Sequence, residues 1–445
     1  MKRSPDSLYV APDSEARAFT DGIAWLWRLG PVRSEPGAQA IGFGVAKEAS
    51  ALSELVARGR LASAIVFAAS GIEETPRGPR TRLADGIADL PYGSAKGAHT
   101  IFLEGRPVLR SQLGPHAVEH SGIVHLGASP SDWGRISTYW VFCLVADMLR
   151  RTLSRPLIAL PPLGCVRLDD VPGTGLQQVL ERAHPDETMV RRIRRVTEHY
   201  RKAGAKLVVA VSSEAFVDGT PAPIDAVWPH SVAALREGVR AGVLEPACHG
   251  TLHLDVEAYT EGTVEPREFA RLGEDEARRR IDKAAGWLRE AIGEPESFIA
   301  PAWGYSPGAL AAAAATGLPA WCAPHPGPLV SGRQMFETTR DSLLGVTRVD
   351  YRFLSALATV GIPPTAVFHG RLFDHRRHGT LELPGDAVAS LRLAIRPDLF
   401  RVPNVPGVRW VGARELFSAL RAHDETELGS DGRTAAGPGP SRVVA

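Results

Sequence analysis

An α/β fold is what this sequence predicts, with a C-terminal irregular (β/α) barrel and an N-terminal α/β accessory domain. Short apolar runs alternate with longer amphipathic stretches along most of the chain. Several of those stretches end in Gly, the residue that closes a helix before a returning strand. From residue 155 onward the alternation becomes regular, with about seven apolar runs in succession, the rhythm of parallel strands on one sheet.

Residues 1–150 form the expected accessory domain, to which no role attaches. "QAIGFGVA" and "SAIVFAAS" read as buried strands around the helical "EASALSELVARGR". "HTIFLEGRPVLRS" reads as a hairpin turning at Glu104-Gly105-Arg106-Pro107. "SGIVHLGAS" is a further strand, leading into the helical "STYWVFCLVADMLRRTLS". "GFGVAKEAS" lacks the third glycine and the following acid of a dinucleotide fingerprint.

Residues 155–422 form the expected catalytic domain. Its strands are "PLIALPPLGCVRL", "AKLVVAVSS", "LEPACHG", "ESFIAPAW", "PAWCAPH", "TAVFHG" and "VRWVGA". Its helices include "ETMVRRIRRVTEHYRKAG", "SVAALREGVRAG", "EDEARRRIDKAAGWLREAIG" and "SPGALAAAAATG". Residues 423–445 are rich in Gly, Pro and Ser without periodicity, and are expected to be disordered.

The bulk composition narrows the function classes. Across 445 residues, 51 Lys and Arg almost cancel 50 Asp and Glu, so no global field favours nucleic acid or an anionic membrane. Cys143, Cys165, Cys248 and Cys322 are far apart and form no CxxC pair, which argues against a disulfide framework or a zinc ribbon. The basic N-terminus has no apolar segment behind it, and no apolar run is long enough to span a bilayer. A cytoplasmic protein is the expectation, and a homo-oligomer is compatible with it.

In a parallel α/β barrel the reactive groups sit at the C-terminal ends of strands. Asp169 and Asp170 follow the first strand of the catalytic domain, His249 and His253 the third, "APAWGYSP" the fourth, and His369 the strand "TAV". Two histidines four apart with a carboxylate make a set that binds a divalent cation and leaves positions open for water and substrate. HxxxH alone is a weak signal, and an arbitrary Asp-Asp pair is more often a helix or turn cap. Their shared strand-end placement moves the balance to metal. A cation neutralises one acid, and its neighbour is left to take a proton from water.

These segments resemble the polysaccharide deacetylases of carbohydrate esterase family four, over roughly residues 155–422. "RLDD" matches the family's Asp-Asp motif, "HGTLH" its His-(Ser/Thr)-x-x-His motif, "APAWG" loosely its Arg-Pro-Pro-Tyr-Gly motif, and "AVFHG" its final x-His strand. The resemblance implies that Asp170, His249 and His253 hold a divalent metal, zinc being the expected ion. It implies Asp169 as general base and His369 as general acid, with the backbone N–H of Trp303 stabilising the oxyanion. The expected activity is removal of an N-acyl group, acetyl first, from an amino sugar or related small intracellular substrate. The expected partner is thus a small molecule or an oligosaccharide. Hydrolysis of cyclic ureides or imides is the alternative on the same fold, and non-catalytic carbohydrate binding the alternative from another class.

The departures are specific. The family's motif-three Arg is Ala300 here, and Arg167 is the candidate replacement if it shares a strand face with Asp169. The second residue of the histidine motif is Gly250, with Thr251 offering a nearby hydroxyl. The family's Asp-x-x-Asp-Trp motif has only the poor counterpart "RVDYRF" around Asp350. Arg167 and Tyr305 are the candidate substrate-binding side chains. Trp303 and Tyr305 can stack on a sugar ring, though core packing explains an isolated aromatic equally well. His325, His375 and His378 read as turn or loop residues.

Overall fold

The computed structural model describes residues 7–26, 29, 31–67, 103–111, 114–128, 130, 144–146, 148–149, 162–172, 186–217, 220–255, 257, 267–301, 304–321, 338–339, 358, 363–369, 402–419 and 422. Trp303, His325, Asp350, His375, His378 and the 423–445 tail lie outside them.

The first sheet has six strands: β1 (Ser7–Val10), β2 (Ala40–Val45), β3 (Ser63–Phe67), β4 (Arg106–Ser111), β5 (Gly114–His120) and β6 (Ile123–Leu126). Their order is β1-β2-β3-β6-β5-β4. The first four in that order run parallel, and β6, β5 and β4 are antiparallel. Helices α1 (Arg17–Leu26) and α2 (Ala49–Ala57) connect the parallel strands. The hairpin expected at Glu104–Pro107 is displaced. Arg106 and Pro107 lie inside β4, which pairs antiparallel with β5 from Arg106 opposite Glu119 to Ser111 opposite Gly114.

The second sheet has eight strands, all parallel: β7 (Leu163–Val171), β8 (Leu207–Val211), β11 (Leu244–Cys248), β12 (Phe298–Ile299), β13 (Ala320–Trp321), β14 (Thr338–Thr339), β15 (Thr365–His369) and β16 (Arg409–Val411). An antiparallel hairpin, β9 (Glu214–Val217) and β10 (Thr220–Pro223), follows β8; the sequence reading missed it. The strand order is β13-β12-β11-β8-β7-β15-β14, with β16 on β7. Among the described residues the path ends at β13 and β14 without closing, so the parallel sheet is seen but not a complete barrel. Cys165 pairs with both Thr365 and Val411, and Arg167 with both Val367 and Val208. Strands β16 and β8 therefore share one edge of β7, and β15 takes the other. Three neighbouring strands thus pair with β7.

Period-two alternation sorts the sheet into two faces. Val166, Leu168, Val209 and Phe298 pack on one face, under α3 (Asp186–Lys202), α5 (Pro229–Arg240), α6 (Glu274–Ala291) and α7 (Pro307–Ala315). The one-turn helix α4 (Ile224–Val227) precedes α5. The helices bury stripes such as Met189, Ile193, Val196 and Tyr200, at helical spacing. Cys165, Val208, Ala210, Ala247, Ile299 and Trp321 form the other face, covered by Leu416 and Phe417 of the helical residues 413–419. The predicted glycine closures hold: Gly204, Gly242 and Gly317, just past α3, α5 and α7, have φ of +63°, +73° or between. No helix among the described residues is long and apolar enough to cross a membrane.

Candidate metal centre

Strand β7 does not stop before the acids. It runs through Asp169 and Asp170 to Val171, and every residue in it is buried. Adjacent residues in a regular strand point to opposite faces, which would separate the two carboxylates. A bulge interrupts that alternation. Leu168 pairs with Val209 and Val171 with Val211, so β7 takes three steps where β8 takes two. Asp170 holds the left-handed conformation at φ +58°, which Asp adopts more readily than most residues. The bulge turns Asp170 out of alternation and towards the histidines.

Asp170 Oδ1 lies 3.3 Å from His249 Nε2 and 3.0 Å from His253 Nε2. Among the described residues these form the one group of ligand atoms, all within 4.8 Å of one another, suited to a metal ion. All three residues are buried. The two rings meet edge to face, 5.0 Å between centroids. His249 Nδ1 donates to the Ile299 carbonyl oxygen at 2.8 Å, which fixes the ring and leaves Nε2 as the coordinating nitrogen. Among the described residues, His253 Nδ1 is buried with no hydrogen-bond partner on another residue. Burial alone would lower the pKa of His253, but the charge and hydrogen bond of Asp170 outweigh it and raise the value. The donor set, one hard oxygen and two borderline nitrogens, is of a kind that could hold a divalent cation.

Asp169 belongs to the other face, with Cys165 and Arg167. Arg167 Nε donates to Asp169 Oδ1 at 3.2 Å and Arg167 Nη2 to Oδ2 at 2.5 Å. The guanidinium also stands 5.3 Å from the centroid of the Trp321 ring. Arg167 is fully buried and Asp169 nearly so. The expectation of Arg167 as a substrate-facing side chain is therefore corrected: its fork is committed to Asp169, on the strand face the alternation required. Ala300, at the position of the family's Arg, is itself buried.

Tyr305 also differs from its expected role. Its hydroxyl accepts from Ala300 N at 3.0 Å and donates to the Trp321 carbonyl, tying the ends of β12 and β13 together. Its ring stands at 90° to Phe298. His369 ends β15, and its Cα pairs in register with Asp169. The backbone thus sets the two residues side by side on neighbouring strands.

With this geometry in view, solved structures similar to the chain include carbohydrate esterases of family CE4. A CE4 family pseudoenzyme from Bacillus anthracis is 12% identical, covering 57% of this chain and 65% of its own, at a TM-score of 0.32. A family 4 acetyl xylan esterase from Clostridium thermocellum, in complex with a cobalt ion, is 15% identical, covering 57% and 90%, at 0.31. A family 4 carbohydrate esterase from Streptomyces lividans, in complex with acetate, is 13% identical, covering 57% and 93%, at 0.29. No protein-family profile matches the sequence, and no curated protein matches it.

One residue of the site was missed by sequence reasoning. Glu268, in a loop after the histidine motif, is buried against the turn that carries Thr251, Leu252 and His253. No motif spacing marks it. The one available signal is Gly250, whose φ of +76° marks a turn that other residues rarely adopt.

Proposed function

We propose that this chain is a metal-dependent hydrolase that removes an N-acyl group, acetyl first, from an amino sugar or a related small molecule. The observation that carries the reading is the convergence of Asp170, His249 and His253 beside an Asp169 held by Arg167. Asp170 and the two imidazoles would hold the cation, zinc being the ion that best suits the donor set. A divalent cation bound there supplies the Lewis acidity that amide hydrolysis requires.

The protein's own groups supply the proton chemistry. Asp169 is the base that takes a proton from the attacking water. Arg167 occupies one lone pair on each carboxylate oxygen, holding the group in one orientation while the remaining lone pairs accept the proton. His369, beside Asp169 in register, is the acid that protonates the leaving nitrogen. The Trp303 N–H is the oxyanion donor implied by the sequence resemblance.

Hydrolysis of cyclic ureides or imides is the alternative on the same fold; the lost motif-three arginine is compatible with it, while Arg167 at Asp169 supports the deacetylase reading. The test is acetate release by the zinc-loaded protein from a panel of N-acetylated amino sugars, with cyclic imides alongside. Turnover of the acetylated sugars that is lost in Asp169→Asn supports the reading. Turnover of imides alone, or none despite bound zinc, rejects it.

A further inference from the structure

The two histidines of the metal site are oriented by different means. His249 has a ring hydrogen bond to Ile299, whereas His253 Nδ1 meets no partner on another residue among the described residues. What fixes His253 is its main chain. One carboxylate, Glu268, accepts from Thr251 N at 3.1 Å, Leu252 N at 3.2 Å and His253 N at 3.1 Å, and from the Thr251 hydroxyl. Successive N–H groups pointing inward make an anion-binding nest, and here the protein fills the nest with its own carboxylate. The Glu268 side chain has no exposed surface, and Arg280 Nη1 stands 3.6 Å from it.

The sequence makes room for that carboxylate. A Cβ on Gly250 would lie 2.5 Å from Glu268 Oε2 and 2.6 Å from the Phe269 ring. Gly250 and His253 both hold left-handed backbone, at φ +76° and +56°, and the nest closes over the two residues between them. A left-handed His persists where its surroundings over-determine it, and the Glu268 contacts surround this turn.

We infer that Glu268 is the positioning residue of the metal site: it aims His253 through the backbone amides that its carboxylate gathers. The inference rests on the metal reading above for its consequence, which is that Glu268 sets metal affinity. It is tested in the full-length chain with Glu268→Gln, which keeps volume and one acceptor oxygen, and with Glu268→Ala.

Two readouts separate positioning from general support. In the metal-free protein, amide hydrogen exchange at Thr251, Leu252 and His253 is expected to quicken at least about tenfold in Glu268→Gln, with Leu244–Cys248 unchanged. Zinc affinity, measured by chelator competition, is expected to fall about 10-fold in Glu268→Gln and up to about 100-fold in Glu268→Ala. Equal quickening throughout β11 would make Glu268 a purely structural residue and overturn the inference. So would unchanged zinc affinity in a folded Glu268→Gln protein. Wild-type protein that binds no zinc sinks the metal reading and the affinity claim together, while the exchange result still decides whether Glu268 holds the turn. If Glu268→Ala fails to fold, Glu268→Gln alone decides.

Discussion

Arg167 grips Asp169 from two residues back along the same strand, Nε to Oδ1 at 3.2 Å and Nη2 to Oδ2 at 2.5 Å, with both side chains buried. A forked pair of this kind fixes a carboxylate in position and plane, which a single donor does not. Arg167→Ala leaves Asp169 as a buried charge without its partner. The expected loss is about 3–5 kcal/mol of unfolding free energy, read by urea denaturation. A loss within error of zero would mean that the pair does not hold in solution.

Arg167→Lys separates charge from geometry. It keeps a cation beside Asp169 but loses the planar fork. The protein should remain folded, with kcat on the responsive substrate falling up to about 100-fold and KM little changed. An equal rise in KM with constant kcat would place Arg167 in substrate binding after all.

Glu245 gives a pH signature away from the metal. It is buried at the start of β11 and accepts from Arg414 N at 3.1 Å, at the head of the helical residues 413–419. Burial raises its pKa above the ordinary 4.5, despite the opposing hydrogen bond from Arg414. Between 4.5 and the raised native value the folded state binds more protons than the unfolded state. This contribution therefore makes stability fall as the pH rises through that window. Urea melts of wild type and Glu245→Gln from pH 4 upward, at about half-unit steps, should show that falling component in wild type alone. Parallel profiles for the two proteins would contradict it.

The buried thiols are expected to be inert. Burial pushes the Cys248 thiol up to about 12, and Cys165 is also raised well above its ordinary value, chiefly by burial. At pH 8 such a thiol stays protonated, and the thiolate is the reactive form. Mass-mapped alkylation of the native protein should leave Cys165 and Cys248 unmodified until denaturant is added. Labelling of either in the folded state would show that the β7 and β11 packing opens readily.

The parallel sheet was legible because its strands are apolar runs closed by turn signals, and its helices carry apolar stripes ending in Gly. The Asp170, His249 and His253 group was legible because strand ends bring distant segments together. What eluded the sequence was backbone detail. Period-two alternation gives no hint of the bulge at Asp170, which breaks the register with β8 beside the histidines. Glu268 lies in a loop without periodicity, and its partners are backbone amides, which every residue has. Tyr305 read as a sugar-stacking residue because an aromatic near a site carries no mark of where its hydroxyl goes; here it ties β12 to β13.

The central claim is that Asp170, His249 and His253 together hold one divalent cation. Equilibrium dialysis against zinc, with metal quantified per chain, tests it most directly. Wild type should retain one ion per chain, and at about 100-fold excess over Kd the ion should add about 2.7 kcal/mol of stability. His249→Ala and Asp170→Ala should retain none. Wild-type protein that retains no more zinc than His249→Ala would contradict the account.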